Sequence, residues 1–220
     1  MLYLLPYQEL YYFLKMQKAV DVFGAWAEQG KDIGMEKGHA SAVTEMLNFA
    51  IKERERLNKN FSFLDLGCGN GWVVRKIAEN PNCSNAHGID GASQMIANAR
   101  ERGGNEEYIL SNIDEHESAQ KYDLIHSMEV LYYLEDPASI LKKIANSWLN
   151  EGGRLIAGID LYYENIDSHS WEEKVGTRML MFKEKEWTDF LNEAGFNDVT
   201  SWRANQSEDW EGTLVLTGKK

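Results

Sequence analysis

One stretch limits the folds open to this chain more than any other: Phe61-Ser62-Phe63-Leu64-Asp65-Leu66-Gly67-Cys68-Gly69-Asn70-Gly71-Trp72. An apolar run ends in an acid, glycine follows at every second position, and a helical pattern then begins. Such a strand–turn–helix passage lets a nucleotide-like ligand approach bare backbone, and the helix start presents N–H groups with no partner inside the helix. The spacing is not the dinucleotide fingerprint G-x-G-x-x-G, which would need glycine where Trp72 stands.

From Phe61 onward, strand and helix patterns alternate. Strands are expected at 61–66, 85–90, 107–111, 122–127, 154–160, 198–203 and 213–218, with helices at 72–79, 92–102, 139–149 and 184–194. This alternation implies an α/β fold, a doubly wound, mostly parallel seven-stranded sheet covered on both faces by right-handed crossovers. Between the last two strands there is no room for a helical crossover, so an antiparallel edge strand is expected. Residues 1–58 read as an N-terminal helical cap or lid, and residues 59–220 as the core, with a substrate-side insertion at about 161–183. Within the cap, Gly24, Gly30, Gly34 and Gly38 suggest a glycine-punctuated loop, followed by a helix starting near His39 with Val43, Met46, Leu47, Ala50 and Ile51 on one side. Tyr7, Leu10, Tyr11 and Leu14 fall on one face of a short helix, suited to docking on the domain, to a homodimer contact or to a lid.

Charge narrows the partners. Asp and Glu number 35 against 23 Lys and Arg, a formal net charge of −12, and no basic patch interrupts it. Such a surface repels polyphosphate, so nucleic acid is not an expected partner, and anionic membrane is weakly disfavoured. No apolar run reaches a membrane span, and the aromatic N-terminus lacks a basic lead and a cleavage site; a cytoplasmic location is expected. Cys68 sits in the glycine turn and Cys83 in a polar loop, with no metal or redox spacing, so both read as structural thiols.

Ligands of open α/β sheets bind beyond the carboxyl ends of the strands. Asp65 closes the first strand, Asp90 the second, Ser111-Asn112-Ile113 follows the third and Ser127-Met128-Glu129 the fourth. An acid at the end of strand two can accept hydrogen bonds from both ribose hydroxyls. With the glycines at 67, 69 and 71, these residues resemble the class I methyltransferases, which bind S-adenosylmethionine and release S-adenosylhomocysteine. The resemblance runs from about Phe61 to Gly218. Asp65, Gly67, Cys68, Gly69 and Gly71 are similar to the family's D-x-G-x-G-x-G turn around the methionine moiety. By the same resemblance Asp90 and Gly91 would take the ribose, Met95 would pack on adenine, and Asn112, Ile113, Ser127 and Met128 would complete the cofactor site. Many members carry Asp where this chain has Asn112, whose amide oxygen can still accept a hydrogen bond.

If the cofactor is adenosyl, the chemistry is in-line displacement at a sulfonium methyl, for which the protein aligns an acceptor and excludes water. His39, Glu129, Tyr132 and His169 are the candidates for catalytic roles, and Trp26, Tyr133, Tyr162, Trp171 and Arg178 for acceptor contacts. The aromatics of the insertion could box an ammonium or face an aromatic acceptor. His126 alternates into the buried face of its strand and reads as a core histidine. No metal is expected, with Asp160 at the end of strand five the one residue leaving a catechol-type metal set open. The motifs of amino-nucleobase and cytosine-C5 methylation are missing, which leaves a small-molecule acceptor methylated on O, N, S or C. A catalytically silent adenosyl-binding or scaffold protein on the same fold is the alternative; a nucleotide-dependent oxidoreductase is disfavoured by Trp72.

Overall fold

In the computed structural model, which describes residues 16–104 and 106–220, every strand of the core pairs into one sheet. The strands are β1 (Phe61–Leu66), β2 (Cys83–Asp90), β3 (Glu107–Leu110), β4 (Tyr122–Met128), β5 (Leu149–Ile159), β6 (Asn197–Ala204) and β7 (Thr213–Lys219). Their order is β3-β2-β1-β4-β5-β7-β6, parallel from β3 to β5, while β7 runs antiparallel to both β5 and β6. The reversed strand, β7, lies between β5 and the edge strand β6, and its short link from β6 permits only a hairpin-like return. The switch in strand order lies between β1 and β4, so the carboxyl ends of these two strands open a crevice.

Alternation along the strands assigns the two faces. Leu64, Leu66, Ile125 and Leu155 pack with the fully buried Trp148 and Trp187, whereas Phe61, Phe63, Leu124 and Ile156 face the other way. All six residues of β1 are buried, as a central parallel strand requires. Helices α1 (Ala19–Glu28) and α2 (Asp32–Leu57) precede the sheet; α3 (Trp72–Ala78), α4 (Ser93–Glu101), α5 (Pro137–Lys143), α6 (Trp171–Val175) and α7 (Glu184–Glu193) follow. Val43, Met46 and Leu47 of α2 cover one face beside Val73, Val74 and Ile77 of α3. At α5, Asp136 accepts the Ser139 N–H at 3.0 Å and Pro137 begins the helix, which ends in a π turn over Ile144–Trp148.

The cap departs from the expected loop. Residues 19–28 and 32–57 are helical, Gly24, Gly34 and Gly38 lie inside these helices, and His39 sits in the second turn of α2 rather than at a helix start. Each interior glycine costs helix formation about 1 kcal/mol relative to Ala. Packing overrides that cost: Val20 and Phe23 of α1 and Met35 of α2 close on Ala92 and Met95. Cys83 begins β2 rather than lying in a loop. The expected helix at 7–14, and any subunit contact through it, lies outside the described residues. The insertion carries a 3-10 turn at Ile166–Ser170 and then α6.

Candidate active site

The glycine turn after β1 is shaped by three left-handed residues, Gly67, Gly69 and Gly71, with φ of +70°, +52° and +77°. At Gly67 a side chain would also overlap Val130, and at Gly71 a Cβ would lie 2.5 Å from the Tyr108 ring. Only glycine meets both demands, conformation and space. Gly67 and Cys68 donate their N–H groups to Ile89 O at 2.8 and 3.0 Å, which ties the turn to β2.

Asp90 ends β2 and holds this turn from the other side. Its carboxylate accepts the Gly69 N–H at 2.9 Å and the Ala92 N–H at 2.8 Å. Burial, with some repulsion from Asp65, pushes its pKa up to about 6 against these two hydrogen bonds. Asp65 itself pairs with the buried His126, Nδ1 to Oδ1 at 2.7 Å, while His126 Nε2 is buried without a partner. The imidazole is therefore tied to the turn's own acid.

Helices α1 and α2 cover the glycine turn and border the cavity. Asp32, 3% exposed, accepts from Arg102 at 2.6 Å and from Asn70 Nδ2 at 3.2 Å, so the start of α2 is bolted to the glycine turn. Burial would raise the Asp32 carboxyl, but Arg102 and Asn70 outweigh it and hold it below its ordinary value. Thr177 Oγ1 donates to Gln17 O at 2.8 Å and the Leu180 N–H to Tyr132 O at 2.8 Å, so the insertion is fastened to the segment leading into α1 and to the turn after β4. Phe23 stands edge-on to both Trp26 and Tyr133, with centroids 5.4 and 5.2 Å away.

Beneath these helices runs a cavity of about 860 Å³, from the glycine turn to the end of β4. At its far end Glu129 adopts a left-handed backbone, φ +60°, unusual outside glycine. Its carboxylate accepts the Tyr132 hydroxyl at 2.5 Å and the Asp160 N–H. His39 Nε2 lies 3.9 Å from Asp160 Oδ2. Burial drives the Glu129 carboxyl well up, helped by the neighbouring Asp160 charge. Burial also raises Asp160, with the nearby Thr213 hydroxyl and His39 opposing, and lowers His39 against the pull of Asp160. A neutral imidazole beside buried carboxylates can take or hold a proton at the end of the cavity.

Of the expected cofactor residues, Asp65, Gly67, Cys68, Gly69, Asp90, Gly91, Met95, Asn112, Ile113 and Met128 line this cavity. Gly71 lies behind it at the start of α3, and Ser127 is buried with its hydroxyl donated to Leu66 O at 3.1 Å. Of the catalytic and acceptor candidates, His39, Glu129, Tyr132, Trp26, Tyr133, Trp171 and Arg178 line it. His169 and Tyr162 do not. His169 Nε2 lies 2.8 Å from Tyr163 O on the surface, and the buried Tyr162 gives its hydroxyl to Gly212 O at 2.8 Å, under Arg203. Val20, Phe23, Asp32 and Met35 also line the cavity without having been singled out in the sequence. The Phe23 and Trp26 spacing was their one signal, hidden by the glycines around it.

The site's chemistry fits an adenosyl ligand: a glycine cradle with the Met95 sulfur beside it and a ribose-type acid at the end of β2. Fold and site together define a class I, Rossmann-like methyltransferase with S-adenosylmethionine as its cofactor. The chain belongs to the family described as "Methyltransferase domain", whose pattern matches residues 9–201. A malonyl-(acyl-carrier protein) O-methyltransferase of Halalkalibacterium halodurans is 26% identical over 162 residues, 69% of this chain and 56% of that protein. Nodulation protein S of Sinorhizobium fredii is 34% identical over 120 residues, 52% of this chain and 53% of that protein. The chain spans about half the length of the curated relatives it matches. Among solved structures, a Haloferax volcanii chain in complex with the Trm112 methyltransferase activator superposes with a TM-score of 0.77 at 26% identity, covering 90% of this chain and 96% of that one. The N-methyltransferase NodS of Bradyrhizobium japonicum with S-adenosylhomocysteine has a TM-score of 0.61 at 21% identity, covering 80% and 84%, and shares the fold. Among the described residues no helix is long and apolar enough to cross a membrane.

Proposed function

We propose that the protein transfers the methyl group of S-adenosylmethionine to a nucleophilic atom of a small molecule. The observation carrying this reading is the covered cavity of about 860 Å³, continuous from the glycine turn to the Glu129 end. Its volume is in the range of small-ligand sites, roughly 300–1,000 Å³. Asp90 would orient the ribose and the backbone of Gly67 and Gly69 would border the methionine portion. When bound, the cofactor supplies an electrophilic methyl on a good leaving group. The rest is the chain's own work: Phe23, Trp26 and Tyr133 exclude water, and the polar end of the cavity holds the acceptor in line. There, the neutral His39 next to Asp160 takes the proton that a hydroxyl or amine acceptor must lose. The curated relatives include an O-methyltransferase, and a structural neighbour is an N-methyltransferase, so both acceptor types belong in the test.

Calorimetric titration with S-adenosylhomocysteine should show one-to-one binding. Methyl-labelled cofactor should then label members of a panel of small carboxylates, hydroxyls and amines, with a Trm112-type activator included in parallel. Labelling lost in Glu129→Gln at unchanged cofactor affinity supports the reading. Absence of cofactor binding, or label found only in protein or RNA, overturns it.

A further inference from the structure

Resting on that methyl-transfer reading, we propose that His39, Glu129 and Asp160 hold a divalent transition-metal cation at the acceptor end of the cavity. One donor atom from each residue lies within 4.8 Å of the other two, although the three come from α2, the end of β4 and the end of β5. This convergence is tertiary; no sequence spacing encodes it.

Asp160 supplies the second observation. It is 7% exposed, and its Oδ1 is buried with the Thr213 hydroxyl nearby but no partner of hydrogen-bond geometry, while Oδ2 points toward His39 Nε2 at 3.9 Å. A buried carboxylate left this way is costly unless something positive completes it. Among the described residues, neither Glu129 nor Asp160 forms an ion pair with lysine or arginine; the imidazole of His39 is the sole ion-pair partner of Asp160.

The donors also indicate which cation. One imidazole nitrogen with two carboxylate oxygens suits Zn²⁺ or Mn²⁺ better than Ca²⁺ or Mg²⁺, which favour all-oxygen shells. Bonds of about 2.0–2.2 Å would draw the donors to separations of roughly 3–3.5 Å, a short closure from the 3.9 Å between His39 and Asp160. Three protein ligands leave positions open, and His39 and Glu129 both face the cavity where the acceptor would enter. The Tyr132 hydroxyl, donated to Glu129 Oε2, would orient that ligand from behind. With the cation bound, His39 gives its lone pair to the metal and no longer acts as the base; the cation would bind the acceptor's oxygen or nitrogen and lower its pKa so that the proton leaves to water.

The test uses the full-length protein after chelator treatment, titrated by calorimetry with ZnCl₂ and with MnCl₂, and separately with S-adenosylhomocysteine. One equivalent of metal should bind, with a matching rise in Tm. His39→Gln and Asp160→Asn should each weaken metal binding by at least the roughly 10–100-fold that loss of an outer-shell partner costs, while leaving S-adenosylhomocysteine affinity within about threefold, which also shows that they fold. Intact S-adenosylhomocysteine binding without saturable metal binding overturns the metal site and spares the methyl-transfer reading. Equal metal binding by wild type and both variants overturns it too. So does an Asp160-dependent response to simple ammonium compounds in place of metals, which would make the cluster an ammonium pocket. Failure of the wild type to bind S-adenosylhomocysteine would overturn the reading beneath.

Discussion

Replacing Asp90 with Asn and following cofactor affinity against pH probes the site's main electrostatic feature. Burial lifts the Asp90 carboxyl to about 6. Ribose hydroxyls donate hydrogen bonds, so they bind the ionised form and compete with the proton. At pH 5 only about a tenth of the group is ionised, so S-adenosylhomocysteine affinity should fall about tenfold between pH 7 and pH 5. The stability of the free protein should respond with the opposite sign. Because the folded pKa lies above the ordinary carboxylate value, this group's contribution is present at about pH 4 and below and is lost as pH rises through 6. Asp90→Asn removes the titration. Its affinity should be lower at pH 7 by about 1–3 kcal/mol and free of the acid slope, and the wild-type-minus-variant stability difference should shrink with rising pH. Calorimetry at pH 5, 6 and 7, with urea unfolding of both proteins, measures each arm. A wild type whose affinity is flat over this range, or a variant that keeps the tenfold slope, refutes the assignment of Asp90 to the ribose.

Gly67→Val combines a left-handed φ with overlap on Val130. It should cost about 2–5 kcal/mol and lower Tm by about 5–15 °C. Pairing Gly67→Ala with Val130→Ala should recover the overlap share alone, read by thermal denaturation. Asp32→Ala leaves Arg102 without its carboxylate partner and leaves Asn70 Nδ2 only Glu36 as acceptor, at 3.1 Å. The loss should be about 2–3 kcal/mol in urea unfolding, with faster S-adenosylhomocysteine release in stopped flow because α2 is unbolted. His169→Ala alters an exposed side chain outside the cavity. Stability should stay within about 0.5 kcal/mol and turnover unchanged; a tenfold loss of turnover would return His169 to the site.

The glycine-turn half of the cavity was legible because it is local. A strand, a glycine turn and a helix start lie within residues 61–72, and Asp90 ends the next strand, so the spacing along the chain carries the geometry. Positive φ at Gly67, Gly69 and Gly71 is the kind of demand a sequence displays openly, since other residues meet it at a cost. The covering helices were less legible. Gly24, Gly34 and Gly38 argue against helix by propensity, and burial of Phe23 and Met35 against Ala92 and Met95 outweighs them.

The sequence by itself therefore determined the doubly wound, mostly parallel sheet and the glycine turn with Asp90 that line one end of the cavity. Only the tertiary structure decided the acceptor end. His39, Glu129 and Asp160 stand far apart in the chain and meet only when α2 closes over the ends of β4 and β5. The same folding took Tyr162 into the packing beneath Arg203 and left His169 on the surface. The reason is range: backbone conformation and periodic burial act between near neighbours and leave a pattern along the chain. Convergence of side chains from separate elements depends on how whole helices and strands pack, which no short stretch of sequence records.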